Sequence, residues 1–127
     1  MLALLLGAAI TSSRPRWQVV YSGEDFETAV DANSMRVVPD AGRRVISFRL
    51  KRRLYILNDG GALTTISTER YDCKRAQRRA LGGILYDEAG RSIKKFDEDT
   101  GYIGLGTLSD AASLLKTICS NRLRLPS

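Results

Sequence analysis

The chain has 127 residues, of which 43% are apolar and 27% are charged, so it can form one globular domain with a modest core. Twenty Lys and Arg residues against fourteen Asp and Glu give a net charge of +6, which favours anionic partners. The chain contains no histidine, which excludes the commonest general base and the usual zinc ligand. We therefore expect neither a bound metal nor a cofactor.

The chain begins with an apolar segment, MLALLLGAAITSS, that ends before Arg14. Its apolar run is about ten residues long, shorter than the roughly twenty needed to cross a bilayer, and it matches the centre of a secretory signal. We expect residues 1–13 to be a signal segment, 16–120 the domain and 121–127 a tail. No transmembrane span would then remain after removal of the signal. The alternative is that the segment is a buried element of the domain.

Short segments with alternating apolar residues predict β-strands through the first half of the domain. Trp17, Val19 and Tyr21 share one side of the first segment and predict its half-buried face. Short polar side chains at 31–35 predict a turn or a single helical turn, and Pro and Gly at 39–42 predict another turn. The strand segments are 16–22, 25–31, 35–38, 43–58 and 62–73.

The longest strand pattern covers residues 43–58. Arg52 interrupts its apolar side, which predicts a bulge, a strand end or a sheet edge at that position. Residues 58–61, NDGG, predict a hairpin turn because Asn, Asp and Gly tolerate positive φ. Residues 62–73 are therefore expected to pair back on the long strand.

Residues 73–83 carry two conflicting patterns. Cys73, Ala76 and Ala80 lie on a helical stripe that a pair of glycines would end, and local propensity favours this helix. Alternation of side chains over the same residues is also compatible with a strand. The residues by themselves leave both alternatives open.

The last third of the domain is predicted to contain a hairpin, a loop and a helix. Residues 86–91 predict a turn, and 92–96 predict a short return strand. Polar and glycine-rich residues at 97–110 predict a long loop. Residues 109–119 begin with Ser109 as a helix cap and carry one apolar face, which is typical of a short amphipathic helix.

Cys73 and Cys119 are the two cysteines of the chain. In an exported protein they predict one disulfide, whose loop closure is worth about 4 kcal/mol in chain entropy. Without histidine they cannot complete a four-ligand zinc site. Free structural thiols are one alternative. The other is a reactive Cys73 activated by neighbouring cations, which would make the protein a periplasmic thiol or redox enzyme.

Several short motifs follow one another in a familiar order over residues 17–119. They are Trp17-x-Val19, Asp31-x-x-Ser34, YDC at 71–73, YDEAG at 86–90 and the final Cys119. In this order the chain resembles the surface-adhesin protein E-like family of small exported bacterial domains. The resemblance implies an α+β fold, a mostly antiparallel β-sheet with a short C-terminal α-helix tied to it by a Cys73–Cys119 disulfide. It also implies a strand at 73–83.

The resemblance further implies a location and a role. The namesake of the family is a Gram-negative surface protein that adheres to host matrix proteins. We therefore expect export to the periplasm or cell surface of a Gram-negative bacterium. The expected role is that of a non-enzymatic binding or structural module without catalytic residues, and neither its ligand nor its oligomeric state follows from the sequence.

Cationic side chains form the candidate contact surface. Arg49, Lys51 and Arg53 project from one side of the longest strand at steps of about 6.6–7 Å. If the following segment is a nearby strand, Arg75 and Arg79 extend them into a cationic strip. Such a strip could hold phosphates, carboxylated glycans or lipid A, so proteins or anionic cell-envelope molecules are the expected partners, whereas export and few aromatics disfavour nucleic acid. The alternative is a solvated outer face.

Overall fold

The computed structural model describes residues 14–56, 61–105 and 109–120. Within these residues the fold is one antiparallel sheet of eight strands with a short C-terminal helix, which confirms the predicted fold class. The predicted signal segment, the tail and most of the NDGG turn lie outside the described residues. The strands are β1 (Trp17–Ser22), β2 (Phe26–Asp31), β3 (Arg36–Asp40), β4 (Arg43–Ile56), β5 (Gly61–Asp72), β6 (Gln77–Tyr86), β7 (Ser92–Phe96) and β8 (Ile103–Gly104), and the helix is α1 (Ser109–Cys119).

The strands follow the order β1-β2-β4-β5-β6-β7 across the sheet. The long strands β4 and β5 form its centre and pair from Ile46 with Tyr71 to Ile56 with Gly61. β3 pairs with the first part of β4, and β8 pairs with the start of β6. No helix among the described residues has the length and apolar character that a membrane crossing requires.

A short 3₁₀ helix, Ala32–Ser34, connects β2 to β3 along the edge of β4. The two strands leave the amide of Arg49 unpaired between them, and the Ser34 hydroxyl accepts its hydrogen bond at 2.8 Å. The same hydroxyl donates to the Asp31 carbonyl at 2.7 Å. The predicted single helical turn is confirmed, and its serine satisfies the backbone where one strand replaces another.

The core lies on the side of the sheet that α1 covers, which we call the helix face. Leu114 and Ile118 of α1 are buried there. They pack against apolar side chains of the strands and the connecting segment. These are Val30, Met35, Ile46, Phe48, Leu50 and Tyr71. The apolar stripe of the helix and the apolar side of β4 thus cover each other, as their periodicities predicted.

β1 differs from its predicted orientation. Val19 and Tyr21 are 54% and 45% exposed, whereas Val20 packs against the core. Val19 pairs with Ala29 on the side of the sheet that α1 does not cover, and the register shift between Val19 and Tyr21 turns Tyr21 to the helix face. The predicted half-buried side of β1 is therefore wrong beyond Trp17.

The predicted irregularity at Arg52 is also absent. The pairing of β4 with β5 runs without a shift through Arg52 and Thr65, and β2 pairs with the same residue through Thr28. Arg52 is exposed on the helix face, and its guanidinium carbon lies 5.3 Å from the Phe26 ring centroid. An exposed cation that stacks on an aromatic ring needs no bulge to escape burial.

Residues 73–83 form a turn and then a strand. The turn covers residues 73–76, where Ala76 has a φ of 51°, and β6 begins at Gln77. The strand that the resemblance implied is confirmed from Gln77 onward, and the helix favoured by local propensity is wrong. Pairing with β5 overrides the propensity because it satisfies the backbone within the sheet.

Gly82 and Gly83 have a structural role that differs from a helix stop. A Cβ at Gly83 would overlap the Ile66 carbonyl of β5, and one at Gly82 would overlap the Phe96 carbonyl. Gly82 also has a φ of 110°, in the region that side chains disfavour. The two glycines therefore allow β5, β6 and β7 to approach closely around a bulge in β6.

The Cys73–Cys119 disulfide joins the turn after β5 to the last residue of α1. Its Cα atoms are 5.8 Å apart and its cysteines are separated by 46 residues. The predicted disulfide is confirmed, and both cysteines are consumed in it. The bond holds the C-terminal end of α1 against the sheet beside Tyr71 and Ile118.

Candidate binding face

Arg49, Lys51 and Arg53 occupy alternate positions of β4 on the side opposite α1, which we call the cationic face. Their cross-strand neighbours differ in chemistry. Lys51 pairs with Ala29 of β2, and Arg53 pairs with Glu27. On the cationic face, the neighbouring side chain of β2 is therefore small beside Lys51 and acidic beside Arg53.

Arg49 is neutralised within the fold. Its Nε and Nη2 atoms donate to Oδ2 of Asp31 at 3.3 and 3.1 Å. Asp31 is 2% exposed, and its other oxygen accepts the backbone amides of Arg16 and Asn33. A buried carboxylate needs such partners, so Arg49 is held as part of the junction between β2 and β3.

Lys51 and Arg53 keep their charges available. In the described part of the chain, neither has a carboxylate within 4.0 Å. The Lys51 ammonium lies 4.5 Å from the Trp17 ring centroid, and the Arg53 guanidinium carbon lies 5.7 Å from that of Tyr55. Cation–aromatic contacts orient these side chains without cancelling their charge.

The two cations line an open cleft of about 300 Å³. Ala29 and Ala62 are buried, with 1% and 6% exposure, and their small side chains leave room between the walls. Glu27, Asp87 and Glu88 also line the cleft. Since Asp87 is paired with Arg91 at 3.0 Å, Glu27 and Glu88 are the carboxylates that oppose the two cations.

Arg75 and Arg79 do not extend this surface. Arg75 lies in the turn at 73–76 and binds Asp72 at 3.1 Å. Arg79 binds Asp40 at 2.8 Å and Asp99 at 2.5 Å. The structure thus brings three of the five predicted cations onto one face and uses the other two in separate ion pairs.

A polar network surrounds Asp40, and no pattern in the sequence predicts it. The Asp40 carboxylate accepts the Tyr102 hydroxyl at 2.6 Å and also binds Arg70 at 3.1 Å and Arg79. Burial and this hydrogen bond raise the pKa of Tyr102 to about 12. The network ties the segment before α1 to β3 and β6, across 62 residues of sequence between Asp40 and Tyr102.

Acid should weaken this network. The hydrogen bond from Tyr102, with those from Arg79 and Arg70, lowers the pKa of Asp40 from 3.8 to about 2. Because the carboxylate is more acidic in the folded state, its stabilising contribution is complete above about pH 4 and is lost as the pH falls toward about 2. We expect Asp40→Asn to flatten the decline in the free energy of unfolding over this range, measured by urea titration at each pH. Asp97→Asn, which removes an exposed carboxylate, controls for the change in net charge, and an equal flattening there would contradict this assignment.

Candidate catalytic groups are engaged in the fold. The Ser34 hydroxyl bonds two backbone groups beside Asp31, so the Asp-x-x-Ser motif builds the 3₁₀ helix. Within residues 14–56, 61–105 and 109–120, no three acidic or cysteine side chains converge as a metal site.

Comparisons of the chain with protein-family models, with curated proteins and with solved structures gave no match.

Proposed function

We propose that the protein is an exported, non-enzymatic binding module of the surface-adhesin protein E-like type that holds an anionic partner on its cationic face. The observation that carries the proposal is the contrast among the five cations of the predicted strip. Arg49, Arg75 and Arg79 are consumed in ion pairs, whereas Lys51 and Arg53 remain unpaired over an open cleft in the described structure. The intramolecular disulfide supports export because such bonds persist in oxidising compartments.

Glu27 and Glu88 reduce the positive charge of the cleft. They do not pair with the cations, but they lower the positive potential that an approaching anion meets. A partner with spaced carboxylates or phosphates therefore suits the cleft better than a dense polyanion. Anionic cell-envelope glycans and acidic protein surfaces have such spacing.

Retention on immobilised hyaluronan, a glycan with evenly spaced carboxylates, across a salt gradient tests the proposal. We expect Lys51→Glu with Arg53→Glu to abolish retention near physiological salt, because exposed charge interactions weaken with ionic strength and these two cations supply the field. Glu27→Gln with Glu88→Gln should move elution to higher salt. Arg44→Glu with Lys94→Glu makes the same change in net charge at exposed positions on the other side of the sheet and is the matched control.

Two results would contradict the proposal. Equal losses of retention in the cleft variant and the control would show that only net charge matters. Retention of the cleft variant at the same salt as the unmodified chain would show that another surface binds. Far-ultraviolet circular dichroism of each variant confirms that the sheet has formed before the comparison is made.

A further inference from the structure

A second cavity lies on the helix face, on the other side of the sheet from the cationic face. It has a volume of about 250 Å³ and lies between the β1–β2 pair and the N-terminal half of α1. Val20 and Leu114 contribute apolar surface to it, and Ser113 lies on its helical side. None of these residues belongs to the cleft of Lys51 and Arg53.

One wall of the cavity is aromatic. The rings of Tyr21 and Phe26 stack with centroids 4.9 Å apart and an angle of 27° between their planes. Tyr21 is 45% exposed, so this pair presents a flat apolar surface that the fold leaves uncovered on one side. A ligand with an apolar body would bury that surface.

The polar groups of the cavity lie next to each other on paired strands. Thr28 of β2 pairs with Arg52 of β4, and both line the cavity. Arg52 has no carboxylate within 4.0 Å among the described side chains, and it breaks the apolar side of β4 without a bulge. Such a local departure from the pattern of a fold is expected where a side chain serves binding.

Thr28 lies beside Arg52 and lines the same cavity, although only 3% of its surface is exposed. Its hydroxyl is a hydrogen-bond donor next to the Arg52 guanidinium on the paired strand. A ligand oxygen that accepts from Arg52 can therefore also accept from Thr28.

We propose that this cavity binds a small organic monocarboxylate with an apolar body. The carboxylate would accept hydrogen bonds from the Arg52 guanidinium, whose planar fork matches two carboxylate oxygens, and from the Thr28 hydroxyl. The apolar body would lie against the Tyr21–Phe26 pair, Val20 and Leu114. One guanidinium compensates a single negative charge, so a monoanion fits better than a phosphomonoester dianion.

Calorimetric titration of the full, disulfide-bonded chain with octanoate tests this site, with octanol and octyl phosphate as comparison ligands. We expect octanoate to bind, octanol to bind about tenfold more weakly, and octyl phosphate to bind no tighter than octanoate. Arg52→Gln should weaken octanoate binding about tenfold and leave octanol unchanged. Arg44→Gln, at the other end of β4, is the matched control and should bind octanoate as the unmodified chain does.

A second variant tests the location of the site. Ser113 is exposed on α1 and lines the cavity, so Ser113→Trp should fill the space and abolish binding of octanoate and octanol without lowering the melting temperature. Absence of octanoate binding to the unmodified chain would overturn the proposal. So would octanol binding as tight as octanoate, tighter binding of octyl phosphate, or octanoate binding that neither Arg52→Gln nor Ser113→Trp changes.

Discussion

Replacing Cys73 and Cys119 together with serine should lower the free energy of unfolding by about 4 kcal/mol. The bond closes a loop between positions 46 residues apart, and opening it restores the conformational entropy of that loop in the unfolded chain. A domain of this size has a net stability of about 5–15 kcal/mol, so the loss is a large part of the total. Equilibrium unfolding in urea measures it.

The same experiment has an internal control. The reductant dithiothreitol should lower the stability of the unmodified chain by a similar amount and should leave the double serine variant unchanged. The loop that the bond closes contains β6, β7 and β8. We expect the folded contacts of α1 to remain after the bond is opened, so the loss of stability should come chiefly from the unfolded state. A loss below about 1 kcal/mol would contradict the chain-entropy account of this bond.

Replacing Phe48 with alanine should cost about 3–5 kcal/mol in the free energy of unfolding. Phe48 is 1% exposed at the centre of β4, and its ring meets that of Tyr71 edge-on with centroids 5.1 Å apart. Removing it takes an aromatic ring from the contact between the sheet and α1, and the surrounding side chains cannot all move to fill the cavity.

The matched control for Phe48 is Phe96→Ala. Phe96 lies on the edge strand β7 with 36% of its surface exposed, so the same chemical change removes much less buried area. We expect its effect on the urea midpoint to be clearly smaller. Equal effects at the two positions would show that the core does not centre on Phe48.

Local pattern was sufficient for most of the secondary structure. Alternation predicted β4 and β5, and short polar residues around Asp31 and Ser34 predicted the 3₁₀ helix, because backbone geometry at these places depends on neighbouring residues. The amphipathic helix at 109–119 was also predicted with its observed bounds. Local pattern failed at the segment that begins with Cys73, where the helical stripe is strong but the strand pairs with β5.

The candidate site could be predicted only in part for a similar reason. Alternate positions along one strand always share a face, so Arg49, Lys51 and Arg53 were grouped correctly. Which of them retains its charge depends on carboxylates from other elements. Asp31 reaches Arg49 across the sheet, whereas Asp40 and Asp99 occupy Arg79, and no rule of sequence spacing predicts those contacts.

Short-range preferences therefore determined the strands, the final helix and the shared side of the β4 cations, while cysteine count and the apolar leader predicted the disulfide. The tertiary structure alone decided that Val20 rather than Val19 packs inward, that Arg52 faces a cavity beside Thr28, and that Lys51 remains unpaired. Each of these outcomes depends on groups brought together from separate strands. Periodicity describes one strand at a time, and contacts between strands arise only when the whole sheet has formed.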